Sequence, residues 1–166
     1  MVYSVRKTNF LIFVACTLMI LAALYMEHVM KMNPCPLCIT QRGFVMLTGL
    51  IALFAALHNP GLTGQRTYAI LGIISPILGA VFSGRQLWLQ YMPADQIASC
   101  GPSSLSYILE EFPFLEGLDL LLQGDGSCAH IDKIFGLSLA AWTFIAFIGL
   151  AGVNLYQLLR KRDKLV

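Results

Sequence analysis

The sequence predicts an all-α fold, a polytopic membrane protein in which four transmembrane helices form a bundle and a long loop joins the third helix to the fourth. The composition is the first reason, since 57% of the 166 residues are apolar and only 12% are charged. Soluble domains have roughly 45–50% apolar and 25% charged residues. The second reason is that the apolar residues form four runs with almost no charge, and about 20 such residues cross a bilayer as a helix.

The four predicted spans cover about residues 10–27, 39–57, 68–90 and 134–159. The first run has no obvious small-residue cleavage site, so we interpret it as an uncleaved anchor and not as a signal peptide. The second run reaches the usual length only if the side chain of Arg42 extends to the headgroups. The alternative for this run is a re-entrant or surface hairpin.

The basic residues indicate which side of the membrane each end of the chain occupies. Seven of them lie on one side of a four-span arrangement: Arg6, Lys7, Arg66, Arg160, Lys161, Arg162 and Lys164. Eight acids lie on the other side: Glu27, Asp95, Glu110, Glu111, Glu116, Asp119, Asp125 and Asp132. Because short loops rich in Lys and Arg stay cytoplasmic, both termini are predicted inside and the loops at about 28–38 and 91–133 outside.

The two connections that follow the second span differ in character. Residues 58–67 are few and rich in Gly and Pro, which predicts that spans two and three are antiparallel neighbours. Residues 91–133 form a loop of a length that is usually functional. Within it, residues 111–122 mix apolar and acidic side chains, which fits an amphipathic helix at the interface or a helix packed on the protein. Little chain remains for a soluble domain, so residues 1–166 are predicted to form a single membrane domain.

Four of the five cysteines fall on the outer side in this topology: Cys35, Cys38, Cys100 and Cys128. Disulfides persist outside the cytoplasm, so these four can pair, and four cysteines allow three connectivities. Cys16 lies within a span, and we interpret it as a small buried packing residue.

The segment Cys35-Pro36-Leu37-Cys38, at the start of the second span, is a candidate redox pair. Two intervening residues allow the sulfurs to bridge, and the helix dipole favours a thiolate at a helix N-terminus. Arg42 follows Cys38 by four residues and therefore shares its helix face. Its charge can stabilise a sulfur anion or an electron acceptor there, and the alternative role is an interfacial anchor.

The electron acceptor of such a pair must take two electrons, and the acceptors of this kind that dissolve in bilayers are quinones. No glycine fingerprint for a nucleotide cofactor is evident, since the turn at 61–64 is too weak a signal. Zinc is the competing use of a Cys-x-x-Cys pair, but Cys100 and Cys128 are 28 positions apart and His130 stands alone. The sequence therefore predicts a quinone-linked redox pair and no metal site.

Four segments, together with the two cysteine pairs, carry a family resemblance: Glu27-His28-Val29-Met30, residues 34–42 (PCPLCITQR), Gly84-Arg85-Gln86 and Phe135-Gly136-Leu137. They resemble the disulfide bond formation protein B (DsbB) family, the quinone-linked thiol oxidases of the bacterial inner membrane. The similarity covers nearly the whole chain, including the order of the spans. It implies a multi-pass inner-membrane protein with cytoplasmic termini, periplasmic loops and no nucleic-acid partner.

The resemblance also implies a route for the electrons. Cys100 and Cys128 would form the disulfide that a reduced periplasmic thioredoxin-like oxidase of the DsbA type attacks, with Cys100 in the mixed disulfide. Cys128 would then attack Cys35 and release Cys38 as the thiolate that meets a quinone, ubiquinone or menaquinone. Arg42 would stabilise the charge there. The four cysteines are thus the predicted catalytic residues, and Arg42 and Cys38 are the predicted quinone-binding residues.

One position departs from the family pattern, and two other functions stay open. Where the family can carry a histidine at the outer end of span three, this chain has Gln90-Tyr91, so no quinone contact is assigned there. His28 and Arg85 are nearby candidates, with interfacial packing or anchoring as the alternative. The other functions are a vitamin K epoxide reductase-like enzyme, expected to carry its Cys-x-x-Cys near the end of a late span, and a membrane scaffold or sensor with structural disulfides.

Overall fold

Four long helices make up most of the part of the chain that the computed structural model describes, residues 4–32, 34–91, 133–134 and 136–160. Their bounds are Val5–His28 (α1), Pro36–His58 (α2), Leu62–Tyr91 (α3) and Leu139–Leu159 (α4). All four are long and apolar enough to cross a membrane. The predicted all-α bundle, with a long connection between its third and fourth membrane helices, is therefore confirmed.

The first three helices extend beyond the apolar runs that predict them. α1, for example, includes Arg6 and Lys7 in its first turn, because helical hydrogen bonding continues through polar residues whereas apolarity marks only the part suited to the bilayer interior. Asn59 ends α2 in a left-handed conformation with φ 42°, and its N–H donates to the carbonyl oxygen of Ala55 at 3.2 Å. Only residues 59–61 then separate α2 from α3, and these two helices pack against each other as the short turn predicts.

The fourth helix begins later than the predicted span at 134–159. Lys133–Ile134 (β1) pairs antiparallel with Leu137–Ser138 (β2), so the first residues of that span form a short hairpin. Gly136, in its turn, has φ 84°, a conformation that glycine adopts easily and other residues rarely do. Ser138 caps α4, because its Oγ accepts the N–H of Ala141 at 3.2 Å. The glycine turn and the serine cap together set the helix start at Leu139.

Small residues allow the helices to approach closely where they pack. α1 packs on α2, α2 on α3, and α3 on α4. A methyl group added to Gly79 of α3 would overlap the ring of Phe147 of α4, and one added to Gly72 would overlap the side chain of Asn154. Glycine at such contacts is typical of membrane bundles, where van der Waals packing replaces the hydrophobic effect as the cause of helix association.

Cys16 lies in the apolar core of the bundle, with 2% of its surface exposed, in a cluster with Ile12 and Val45. This position fits the packing role predicted from its place within a span. In the same region a buried hydrogen bond joins α2 to α3, between the hydroxyl groups of Thr48 and Ser75 at 2.9 Å. Such interhelical hydrogen bonds supplement the apolar packing of membrane helices.

Candidate active site at the Cys35–Cys38 pair

The Cys35–Cys38 pair lies at the N-terminus of α2, where local sequence sets the geometry. Cys35 is the N-cap residue with φ −72° and ψ 163°, and its Sγ accepts the N–H of Cys38 at 3.4 Å. Pro36 occupies the first helical position, where its fixed φ suits the helix and its missing N–H leaves no donor unsatisfied. Cys35 is buried and Cys38 is half-buried. The two sulfurs are 3.0 Å apart, well beyond the roughly 2.05 Å of a disulfide bond, so the structure describes the pair as a dithiol.

Gln86 of α3 brings a hydrogen-bond donor to both sulfurs. Its Nε2 lies 3.1 Å from Cys38 Sγ and 3.6 Å from Cys35 Sγ. The side chain is buried, with 5% of its surface exposed. Leu37 and Leu89 are buried in the same cluster as Cys35, so the pair has an apolar surrounding with one amide directed at it. Hydrogen bonds that point at a sulfur favour its anionic form over the thiol.

A second buried amide lies behind Gln86. Gln41 of α2 donates from Nε2 to Gln86 Oε1 at 2.7 Å, and its own Oε1 accepts the hydroxyl of Thr143 of α4 at 3.0 Å. A row of polar side chains therefore runs from α4 through α2 and α3 to Cys38. None of Gln41, Gln86 and Thr143 has a role predicted from the sequence. The available signal was the presence of uncharged polar side chains within apolar spans, which usually face the bundle interior.

Arg42 lies one helical turn after Cys38, as predicted, but its guanidinium pairs with a carboxylate. Nη1 donates to Glu27 Oε2 of α1, and Nη2 lies 3.4 Å from the carbonyl oxygen of Ala23. Arg42 and Glu27 are both partly exposed. From the sequence, Glu27 is one of the acids on the outer side and part of a family segment, and it is not identified there as the partner of Arg42.

A cavity of about 330 Å³ opens beside Cys38, between α1, α2 and α4, and Gln86 of α3 also lines it. Most of its lining is apolar: Met19, Ile20, Ala22, Ala23, Met26, Met32, Pro34, Val45, Leu139, Ala140, Trp142, Ala146, Phe147 and Leu150. Its polar groups are few: Glu27, Cys38, Gln41, Arg42, Gln86 and Thr143. An apolar pocket with a small number of convergent polar groups is the usual form of a small-molecule site.

Other residues singled out from the sequence lie away from this cavity or outside the described part of the chain. Cys100 and Cys128 are not among the described residues, so the second cysteine pair stays a prediction. His28 is at the exposed end of α1, with Nδ1 3.1 Å from the carbonyl oxygen of Leu24. Arg85 precedes Gln86 on α3, and neither His28 nor Arg85 is among the described residues that line the cavity. In the described ranges, no group of three or more His, Cys, Asp or Glu residues could hold a metal ion.

Comparison with known proteins assigns the chain to a family. The model of the family described as disulfide bond formation protein DsbB matches residues 5–157. The chain belongs to the DsbB family. Proteins named disulfide bond formation protein B from Saccharophagus degradans and Hahella chejuensis are similar to it, at 49% and 46% identity over 159 and 157 residues. These alignments cover 95% of both chains in the first case and 94% in the second.

Membership of the DsbB family confirms the resemblance drawn from the sequence and narrows the functions left open. As a DsbB-family protein with four membrane-spanning helices, the chain is a multi-pass membrane protein. Its relatives are named for disulfide bond formation, which assigns the chain a thiol oxidoreductase role. The family match over most of the chain therefore favours this role over an epoxide reductase-like enzyme or a scaffold.

Proposed function

We propose that this protein reoxidises a periplasmic dithiol oxidase of the DsbA type and passes the electrons through Cys100–Cys128 and then Cys35–Cys38 to a membrane quinone. The observation that carries the proposal is the position of Cys38, which has hydrogen-bond donors on its sulfur and also lines an apolar cavity between membrane helices. The proposal places the protein in the bacterial inner membrane as a single domain. Both termini are cytoplasmic, and the cysteine-bearing loops are periplasmic.

The exchange steps conserve bonds and electrons. The partner's thiolate bonds to Cys100, the Cys100–Cys128 disulfide breaks, and the electron pair stays on Cys128. Cys128, in turn, bonds to Cys35, the Cys35–Cys38 disulfide breaks, and the electron pair stays on Cys38. The partner becomes oxidised when its second thiol displaces Cys100. The Cys100 thiolate then bonds to Cys128, the Cys128–Cys35 bond breaks, and the electron pair stays on Cys35. The Cys100–Cys128 disulfide is thereby restored, and Cys35–Cys38 holds the partner's two electrons as a dithiol. Each step is an ordinary thiol–disulfide exchange, whose rate depends on the leaving thiol.

The cavity beside Cys38 fits a quinone by its chemistry. Its apolar walls suit a lipid-soluble ring, and Arg42, one of its few polar lining residues, offers a cation to a ring oxygen. A bound quinone supplies an acceptor for two electrons and two protons. The side chains that would hold it are Arg42, Cys38 and the surrounding apolar groups, among them Trp142 and Met26. Ubiquinone and menaquinone both meet this description.

The energetics support a quinone acceptor. A DsbA-type oxidase has a reduction potential near −120 mV, and each 30 mV corresponds to about 1.4 kcal/mol for a two-electron couple. Reoxidising so strong an oxidant by thiol exchange alone would be unfavourable unless a later step removes the electrons. An acceptor dissolved in the bilayer provides that step, and it can reach a pair located between membrane helices.

The test is quinone reduction by the purified protein. A reduced thioredoxin-like partner is mixed with the protein and a soluble quinone, and loss of quinone absorbance is followed. We expect turnover with the parent chain, none with Cys38→Ser, and near-normal turnover with Cys16→Ala, which removes a buried thiol outside the cavity lining. Turnover by Cys38→Ser at the parent rate, or no turnover by the parent, would reject the proposal.

A further inference from the structure

Three buried or half-buried polar side chains from three helices form a row that ends on the reactive sulfur. Gln41 and Gln86 have 3% and 5% of their surfaces exposed. The row links Thr143 Oγ1 to Gln41 at 3.0 Å, Gln41 to Gln86 at 2.7 Å, and Gln86 to Cys38 Sγ at 3.1 Å. Burying two amides inside a membrane bundle is costly unless their hydrogen bonds are made, so the row calls for a role beyond packing.

The direction of the hydrogen bonds is the informative feature. An amide side chain has a donor end and an acceptor end, so the orientation of one glutamine sets that of the next. The hydroxyl of Thr143 donates to Gln41 Oε1, Gln41 Nε2 donates to Gln86 Oε1, and Gln86 Nε2 therefore faces the sulfurs. A thiolate only accepts hydrogen bonds, and this orientation offers it N–H groups.

Thr143 is the point at which this orientation can be lost. Its Oγ1 also lies 2.9 Å from the carbonyl oxygen of Ala140, and a hydroxyl has one proton to donate. Turning that proton to Ala140 would require both amides to reverse, which would present Gln86 Oε1 to the sulfurs. An oxygen facing a thiolate is repulsive, so a charged Cys38 favours the orientation that the structure has.

Arg42 is the cation that the sequence places beside Cys38, yet its guanidinium hydrogen-bonds to Glu27 and Ala23 of α1. The hydrogen-bond donors found on Cys38 Sγ are Gln86 Nε2 and the thiol of Cys35. The amide therefore contacts the sulfur directly, whereas the hydrogen bonds of the guanidinium go to α1.

We infer that Gln86 is a catalytic residue that stabilises the thiolate of Cys38 when the Cys35–Cys38 disulfide opens, and that Gln41 and Thr143 are positioning residues that keep its N–H groups on the sulfurs. The inference rests on the proposed function, in which Cys35–Cys38 is the reactive pair. In the step concerned, an incoming sulfur bonds to Cys35, the Cys35–Cys38 bond breaks, and Cys38 keeps the electron pair. Gln86 hydrogen-bonds to that anion and exchanges neither proton nor electron.

The experiment measures the redox equilibrium of the pair and needs neither a quinone nor a partner protein. Cys100 and Cys128 are replaced by Ala so that Cys35–Cys38 is the pair that titrates, and the protein is equilibrated with glutathione buffers at neutral pH. Stabilising the reduced form makes a couple more oxidising. The isosteric Gln86→Met variant should therefore shift the equilibrium constant about ten- to a hundredfold toward the disulfide, which is about 30 to 60 mV for a two-electron couple.

Matched variants separate stabilisation of the thiolate from general loosening of the bundle. Thr143→Val removes the orienting hydroxyl without touching a sulfur and should shift the equilibrium in the same direction, whereas Thr143→Ser keeps the hydroxyl and should stay near the parent. Thr48→Val removes a buried hydroxyl from a hydrogen bond between α2 and α3, outside the cavity lining, and should leave the equilibrium unchanged. If the Gln86→Met protein cannot be produced in a folded form, the comparison of Thr143→Val with Thr143→Ser still tests the role of the hydrogen-bonded row.

The outcomes distinguish failure of the inference from failure of the proposed function. If Gln86→Met stays within about twofold of the parent while the pair titrates normally, the role of Gln86 is rejected and the proposed function stands. Equal shifts in Thr143→Val and Thr143→Ser reject the positioning role, and a shift in Thr48→Val as large as that in Gln86→Met rejects both roles. If the parent pair does not titrate at all, the reactive pair itself is lost and the proposed function fails with the inference.

Discussion

Arg42 of α2 forms an ion pair with Glu27 of α1, and both residues line the cavity that Cys38 also lines. A cation one helical turn from Cys38 is thus partly neutralised by a carboxylate from a neighbouring helix. The ion pair makes the net charge beside the cavity smaller than the position of Arg42 alone suggests.

Replacing Glu27 with Gln should make Cys38 more reactive. The carboxylate opposes the effect of Arg42 on a nearby anion, so its removal leaves a more positive environment for the thiolate. We expect the reduced protein to react a few-fold faster with a neutral alkylating reagent, measured by mass spectrometry at Cys38. Arg42→Met should slow the same reaction, and the double variant should fall between the two. A slower reaction in Glu27→Gln would contradict this interpretation of the ion pair.

Replacing Arg42 with Met should weaken quinone use more than exchange with the soluble partner. The guanidinium lines the cavity, whereas in the proposed route the partner exchanges with cysteines that act before quinone reduction. We expect KM for a soluble quinone to rise about tenfold, a loss of about 1.4 kcal/mol in binding, while the single-turnover rate of partner oxidation stays near the parent. Arg85→Met is the control, since Arg85 is not among the described residues that line the cavity. Equal losses in both steps would argue against the assigned role.

Filling the cavity from α4 should block quinone use and spare the dithiol. Ala146 lines the cavity, and the larger side chain in the variant Ala146→Leu would occupy part of its volume of about 330 Å³. Quinone reduction should fall at least about tenfold, because adding several methylene-sized groups removes the space that a ring needs. The glutathione equilibrium of Cys35–Cys38 should stay near the parent value. Gly149→Leu, where an added Cβ has nothing within 4 Å, is the control and should keep parent activity.

Replacing Gly79 with Ala should destabilise the contact between α3 and α4. The added methyl would overlap the buried ring of Phe147, and overpacking of this kind typically costs about 1–3 kcal/mol. Thermal unfolding in detergent should show a lower midpoint for Gly79→Ala. Gly149→Ala makes the same chemical change on α4 at a site with no neighbouring atom within 4 Å, so its midpoint should be equal to or above that of the parent. Equal midpoints for the two variants would rule out the proposed overlap.

The predicted spans and the observed helices differ mainly at the ends of the helices. Four apolar runs predict four membrane helices. The observed helices α1, α2 and α3 each contain the whole of the corresponding predicted span. The predicted fourth span begins at 134, whereas α4 begins at Leu139, because Gly136 and Ser138 form a turn and a cap that apolarity does not register. Hydropathy measures suitability for lipid, while helix ends depend on local hydrogen bonds.

The sequence alone determined the number of membrane helices and the position of the Cys35–Cys38 pair at the start of the second one, since these depend on composition and on spacing along a single segment. The tertiary structure decided what surrounds that motif. Gln86 is 45 positions from Gln41, and Thr143 is 102 positions from Gln41, so only the packing of three helices brings them into one row beside Cys38. The pairing of Arg42 with Glu27 was likewise set by the contact between α1 and α2, because a side chain's hydrogen-bond partners depend on where neighbouring helices place them, and not on its position in its own helix.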